Sequence, residues 1–498
     1  HNSAMKLPRL TSAAVRDAAD INACTVWANG VIEQSVGGDH ALGTHADTFT
    51  DRLDAAFTHP VLGLLVFAAI MTGLFYTIFT LATVPMDLIE LLFANLGGLV
   101  DGAFAWLDAQ FGTQLADGPL HNLLVNGVIG GVAGTVVFLP QICLLFFLIS
   151  LLEDTGYLAR ASFVMDRIMR RFGLPGQAFV PMLSAHACAL PAIMSARLIP
   201  DHRDRLATIL VTPFLSCSAR LPVYVLLISM LFANKPLMAG LAFAGCYVLG
   251  AAAALLTALL FRKTILKGPT RPMVLELPTY KMPSLRTALL TTYDRGMTFL
   301  RKAGTVIVCI CIVLWWLSAY PVAQETSEIA AIRVEAAAVS SADDAAALTA
   351  QADELAAKAQ MTGSFAGQIG RSIEPVFKPL GYDWQLSIGV LTSFAAREVF
   401  VSTMSVLFAG TDDAEDPTVL ERIKSATRSD GSPVFTIATS ASLLVFYVLA
   451  MQCLPTLAVT RRETGSWKWA MLQLGYMTAV AYSAALIVHI IIRSSGVV

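Results

Sequence analysis

Ser184-Ala-His-Ala-Cys188-Ala-Leu-Pro191 and Pro213-Phe-Leu-Ser-Cys217-Ser-Ala-Arg-Leu-Pro222 decide how this chain is read. Both stretches lie in strongly apolar surroundings, and both are broken by proline and small residues. Proline removes a backbone donor and clashes with the preceding turn, so each stretch interrupts a helix. Irregular backbone at membrane depth survives only where it is buried in protein or lines a watery cavity. A thiol beside such a break puts a soft metal ligand next to free backbone carbonyls. Fe(II), Mn(II) and Zn(II) accept thiolate, imidazole and carboxylate ligands, with thiolate favouring the softer, later metals. The plain alternative is that both cysteines are small packing residues, the usual fate of cysteine.

Outward from these stretches, the chain has 498 residues, of which 56% are apolar and only 14% charged. A soluble globular chain carries about 25% charged residues. Several apolar runs reach the roughly 20 residues that a helix needs to cross the hydrocarbon core. The net charge of −2 gives nucleic-acid binding no support. The first apolar run starts near Val61, too late for a signal peptide. The eight cysteines (24, 143, 188, 217, 246, 309, 311, 453) form no CxxC pair, which argues against a zinc ribbon or a disulfide framework. His1-Asn-Ser-Ala before Met5 reads as an expression scar.

Full spans are expected near 61–84, 122–152 (broken by Pro140), 206–232, 237–262, 303–320, 434–458 and 469–492. Residues 5–58 read as a soluble, helical stub. Residues 85–118 hold five acids and no Lys or Arg, whereas 262–302 hold nine Lys or Arg. Lys and Arg favour cytoplasmic loops. Placing 160–171, 197–205, 262–302 and 461–468 inside makes 176–196 and 384–409 re-entrant from opposite faces, with the N-terminus cytosolic and the C-terminus outside. Paired interrupted segments in two halves point to inverted repeats with a site near the midplane. Residues 325–360 read as an exposed helix, and 410–433 as a polar loop.

Cys188 and Cys217 lead the candidate pathway residues. His186 adds nitrogen if the backbone there is irregular; the alternative is a hydrogen-bonded polar residue. Ser216 and Ser218 flank Cys217. Glu398 follows Arg397 inside an apolar segment, where ionisable residues are functional candidates by default. It binds a dication or relays a proton, or else pairs locally with Arg397. Cys453, in Ala450-Met-Gln-Cys453-Leu-Pro455, repeats the order of Cys before Pro. Met451 reads as filler. Glu153 and Asp154, at the end of a span, are candidates for a cation-attracting mouth. Arg220 is expected to pair with an acid or a carbonyl. No G-x-x-x-x-G-K-[ST] loop occurs, so no nucleotide site is expected in this chain.

At these residues the chain resembles the membrane portion of the ferrous iron transport protein B family. The likeness runs from Thr48-Phe-Thr-Asp51-Arg-Leu-Asp54 to the C-terminus. It is carried by Phe138-Leu-Pro-Gln-Ile142, Leu151-Leu-Glu-Asp-Thr-Gly-Tyr-Leu-Ala-Arg160, Cys188-Ala-Leu-Pro-Ala-Ile-Met194, Leu215-Ser-Cys-Ser-Ala-Arg-Leu-Pro-Val-Tyr224, Ser393-Phe-Ala-Ala-Arg-Glu-Val399 and Arg462-Glu-Thr-Gly-Ser-Trp-Lys-Trp469. The resemblance implies an all-α polytopic membrane protein with two gate-type inverted repeats and broken or re-entrant helices. The first gate half would be 59–262, a basic cytosolic linker 263–302, and the second half 303–498. It implies Fe(II) uptake across a bacterial inner membrane by a transporter rather than an enzyme, with Cys188, Cys217 and Cys453 on the path; Met194, at the end of the Cys188 motif, is a further candidate for it. It also implies a cytosolic GTP-binding domain ahead of 5–58, small accessory iron-transport proteins, and a possible homo-oligomer in the lipid bilayer. The sequence departs from the family pattern at Ala185-His186, where Gly-Phe is expected. Two readings of other classes stay open: an organic-solute or nucleoside-type carrier, and a non-transporting partner of a GTPase.

Overall fold

The computed structural model describes residues 26–27, 49–59, 61–111, 115, 118–232, 235–268, 280–322, 326–338, 342–394, 397, 399–409, 417–428 and 432–496. Glu398 and residues 1–25 and 28–48 lie outside them, so the residues read as a scar, most of the expected helical stub and one candidate ligand are not part of this description. Among the described residues the protein is all helix, apart from one isolated bridge between Thr427 and Pro433. Six helical runs are long and apolar enough to cross a membrane, and two shorter apolar helices accompany them. The expected all-α polytopic membrane fold is therefore borne out.

Helix α1 (Phe49–Phe57) leads into α2 (Leu62–Phe111), a single helix of 50 residues. At 1.5 Å per residue this is about 75 Å long, more than twice the thickness of a hydrocarbon core. The sequence suggested a span ending at Val84, before Pro85 and the acidic segment. Instead the helix runs through Pro85 and carries Asp87, Glu90, Asp101 and Asp108 along its second half. Proline costs one helical bond, and long apolar neighbours on both sides outweigh that loss. A π-helix (Leu123–Ile129) precedes α3 (Gly130–Val136), and a turn at 137–138 separates α3 from α4 (Leu139–Asp154), which has Pro140 in its first turn. The break expected at Pro140 is there. Gly156, at φ 79°, makes the left-handed corner into α5 (Tyr157–Arg171). One face of α5 buries Tyr157, Leu158, Ala161 and Met169 and leaves Arg167, Arg170 and Arg171 outside.

The first short, broken segment is α6 (Phe179–Ala185) followed by α7 (Ala189–Ser195). Helix α8 (His202–Val211), capped by the Asp201 carboxylate on two backbone N–H groups, is interrupted at 215–217 and resumes as α9 (Leu221–Leu231). The break expected beside Pro213 and Cys217, inside the span 206–232, is there. Helix α10 (Pro236–Lys263) spans in one piece. The basic linker is not all loop: α11 (Leu285–Phe299) passes through a π-helical stretch into α12 (Thr305–Ala319). Ser284 caps α11, and α11 packs along α4. The insertion is two helices, α13 (Ser327–Ala338) and α14 (Ala342–Gly363), packed on each other with Ile329, Ala336 and Ala352 buried, so it is less exposed than its polar composition suggested.

The second half repeats the theme. Helix α15 (Phe365–Phe377) leads to α16 (Trp384–Thr392), a break, and α17 (Val399–Ala409). A short α18 (Pro417–Ser425) lies within what read as a polar loop. Helix α19 (Ile437–Leu449) breaks at 450–453 before α20 (Leu454–Thr464), and α21 (Trp467–Ser494) closes the fold. The halves share one core: α7 packs on α20, α9 on α19, and buried side chains from 169–266 and 380–485 form one cluster.

Candidate functional site

Three cysteines begin a helical segment immediately after a break. Cys188 precedes α7, Cys217 precedes the 3₁₀ turn Ser218–Arg220 that leads into α9, and Cys453 precedes α20. All three have extended backbone. Proline stands in the first turn of each resumed helix, as Pro191, Pro222 and Pro455, where its missing N–H had no helical partner in any case. The prolines therefore mark where helices restart, and the thiols sit at the restart.

The breaks touch one another. The N–H and the Oγ of Ser218 donate to the Ala187 carbonyl at 3.4 and 2.9 Å. Leu454 N–H donates to the carbonyl of Phe394, in the break between α16 and α17, at 3.0 Å. Cys188, Cys217 and Cys453 lie within electrostatic reach of one another. Cys217 is buried, and Cys188 and Cys453 are partly exposed. Among the described residues no three His, Cys, Asp or Glu side chains are grouped tightly enough to hold a metal ion. The thiols form a neighbourhood rather than a closed cage.

Two buried guanidiniums knit these breaks together. Arg220, fully buried, donates to the carbonyls of Phe214 (3.0 Å), Leu215 (3.2 Å), Pro213 (3.2 Å) and, across the halves, Ala450 (3.0 Å). The expectation that it meets a carbonyl or an acid resolves to carbonyls. Arg397, 4% exposed, donates from Nε to the Gln452 carbonyl at 3.3 Å and from Nη1 to Cys217 Sγ at 3.5 Å. Gln452 is fully buried beside Cys453, and its amide makes no hydrogen bond. A side-chain amide so placed was not singled out from the sequence; its position immediately before Cys453 was the available signal.

The remaining candidates are held in other ways. His186 Nδ1 lies 3.2 Å from the Ser216 carbonyl, which puts a proton on Nδ1, and the ring stacks on Tyr247 with Phe75 at its edge. Ser216 Oγ is 3.0 Å from the Tyr224 hydroxyl. Met194 lines a cavity of about 120 Å³ with Leu190, Pro191, Ile142 and Val459, and with Arg295 and Arg462 among its polar lining residues. Asp154 accepts the Ser284 N–H at the start of α11 at 3.2 Å, and Glu153 is exposed. At a distance from the thiols, Asp54 of α1 accepts from Arg160 Nε (2.6 Å) and the Tyr280 hydroxyl (2.7 Å), with Arg160 over the Tyr280 ring at 3.9 Å. The Arg160 hydrogen bond holds the Asp54 carboxyl below the usual carboxylate range, against a smaller opposing effect of burial.

A protein-family model for the gate domain, described as Nucleoside recognition, matches residues 135–231 and 300–467, more than half of the chain. A second, described as Ferrous iron transport protein B C terminus, matches residues 243–295. An Fe(2+) transporter FeoB of Leptospira biflexa is 40% identical over 447 residues, covering 89% of this chain and 59% of the relative. One of Leptospira interrogans is 41% identical over 469 residues, 93% of this chain and 62% of the relative. An Fe(2+) transport protein A/Fe(2+) transporter FeoB fusion protein of Porphyromonas gingivalis is 39% identical over 448 residues, 89% of this chain and 51% of the relative. The chain thus belongs to the gate-domain family and, within it, to the ferrous iron transport protein B family, whose membrane portion it represents. It spans about three fifths of the length of the two Leptospira relatives. No solved structure matches it.

Proposed function

We propose that this chain moves ferrous iron across the bacterial inner membrane, with Cys188, Cys217 and Cys453 as sulfur ligands along a path between its halves. One observation carries the reading: three thiols each stand at a helix restart, and their breaks are bonded to one another. Interrupted helices supply carbonyl oxygens, and thiols supply softer ligands, so a dication shedding water meets both kinds of donor. A pathway does not require a closed cage, since an ion that binds too well does not leave. Relatives named as Fe(2+) transporters support ferrous iron as the cargo. Glu398, His186, Met194, Ser216 and Ser218 are assigned to the flank of this path, and Glu153 and Asp154 to its mouth.

The N-terminus is assigned to the cytosol, where 49–59 would join a GTP-binding domain that acts on the gates through α1. Transport rather than catalysis is the work of the chain itself. A small accessory protein is a natural partner, because a relative is named as a fusion of two iron-transport proteins. Self-association is left to a mass measurement in detergent.

The test is anaerobic Fe(II) uptake into proteoliposomes holding wild-type protein or Cys188→Ser, Cys217→Ser or Cys453→Ser. Each serine is expected to cut uptake by about tenfold, a transition-state loss of about 1.4 kcal/mol, with thermal stability unchanged. Wild-type uptake in all three would remove the sulfur path. Because the matching gate model is described as Nucleoside recognition, a nucleoside arm belongs in the same assay. Uptake of nucleoside and not of metal would favour the carrier reading.

A further inference from the structure

Arg397 is the least expected part of the site. It lies in the break between α16 and α17, 4% exposed, and no carboxylate pairs with it among the described residues. A buried cation without a carboxylate is costly unless other lone pairs take up its charge. Here a backbone carbonyl, Gln452 O, and a sulfur, Cys217 Sγ, do so. The guanidinium also stands within electrostatic reach of Cys188 and Cys453. Arg397 thus stands within reach of all three thiols and donates to the one that is most buried, while Arg220, whose terminal nitrogens are taken up by carbonyls, is a second guanidinium within reach of Cys217.

Those lone pairs are the ones a passing dication needs. In a medium of low dielectric the two cations repel strongly at contact distance, so sulfur cannot serve both at once. The amide of Gln452, buried and without a hydrogen bond, borders the same break and leaves a polar group ready for an ion or its water. We propose that Arg397 is a tethered cation holding the Cys217 position against metal ions, and that an ion enters only when the guanidinium withdraws. The proposal rests on the reading of Cys217 as a pathway ligand. It adds that the arrangement described here is the closed one, and that a residue of the second half guards a ligand of the first. Arginine suits the role because its planar fork bridges a carbonyl and a sulfur simultaneously, which a lysine point charge does less well.

The test uses Co(II) as the probe, since thiolate bound to cobalt absorbs in the near ultraviolet. Purified protein of the full chain in lipid nanodiscs is titrated without oxygen as wild type, Arg397→Gln, Arg397→Lys, Cys217→Ser and the double variant Arg397→Gln/Cys217→Ser. Removing the competitor in Arg397→Gln is expected to tighten Co(II) binding about tenfold, equivalent to about 1.4 kcal/mol. Arg397→Lys keeps the charge but seats it less well, so a gain of about threefold is expected. Cys217→Ser weakens the absorption band, because only Cys188 and Cys453 remain, and the double variant matches it. Unchanged or weaker binding in Arg397→Gln, with the band still weakened in Cys217→Ser, overturns the tethered cation and leaves the sulfur path standing. A band undiminished in Cys217→Ser overturns both the tethered cation and the place of Cys217 on the path. If Arg397→Gln does not yield monodisperse protein, Arg397→Lys decides: no gain in affinity there overturns the proposal.

Discussion

Arg220 and Arg397 are the same residue type, buried to nearly the same degree, at breaks in opposite halves of one fold. Their partners differ. Arg220 gives its two terminal nitrogens to four carbonyls, three in its own half and one in the other. Arg397 gives one donor to a carbonyl and one to the sulfur of Cys217. The first is a clamp: it satisfies carbonyls that a broken helix would otherwise leave bare at membrane depth. The second is bound to a group that has another use. The difference teaches that burial of a charge does not reveal its role, whereas the identity of its acceptors does. Arg160, 1% exposed, supplies a third case, a buried guanidinium with an ordinary carboxylate partner in Asp54.

The contrast can be broken at several points. Arg220→Ala strips a shared donor from four buried carbonyls and is expected to cost about 4 kcal/mol or more, read as a large fall in the thermal midpoint. A stable Arg220→Ala beside an unfolded Arg397→Gln would reverse the two roles. Asp54→Asn leaves Arg160 without its counter-charge and is expected to cost about 3 kcal/mol. The pH dependence follows in sign. The Asp54 carboxyl titrates below its unfolded value, so its contribution is full above about pH 4 and is lost as pH falls through the lower, folded value. Thermal midpoints of wild type and Asp54→Asn should therefore converge on acidification; a constant gap would show that the pair is not the source. Gly250→Ala is expected to cost about 1–3 kcal/mol, because the added Cβ would lie 2.8 Å from the Phe214 carbonyl that Arg220 holds. Full stability there would mean that the clamped break is soft. The smallest effect is assigned to Ser218→Ala, about 1 kcal/mol for one hydrogen bond to Ala187, with uptake within twofold of wild type.

Much of this was legible in the sequence because it is local. Proline and small residues beside Cys188, Cys217 and Cys453 announced the breaks, and apolar runs announced most spans. Boundaries set by long helices were not legible. Pro85 and the acids after Val84 suggested an end to the first span, yet the helix continues, since one missing bond does not outweigh the turns on either side. The basic composition of 262–302 hid α11, whose helix is supported by packing on α4 and by the Ser284 cap rather than by apolar content. Arg397 was the largest omission. Its neighbour Glu398 offered a local pair, and Glu398 lies outside the described residues. The contact with Cys217 joins positions 180 residues apart, and no local pattern encodes it.

The central claim is that thiols at helix restarts bind the ion in transit, and the most direct measurement is X-ray absorption at the iron edge on protein loaded with Fe(II) without oxygen. Wild-type protein should show a sulfur shell at about 2.3 Å, the usual thiolate distance for a zinc-sized dication. That shell should weaken in Cys188→Ser and in Cys217→Ser. An iron environment of oxygen and nitrogen alone in wild-type protein, unchanged by either serine, would contradict the account.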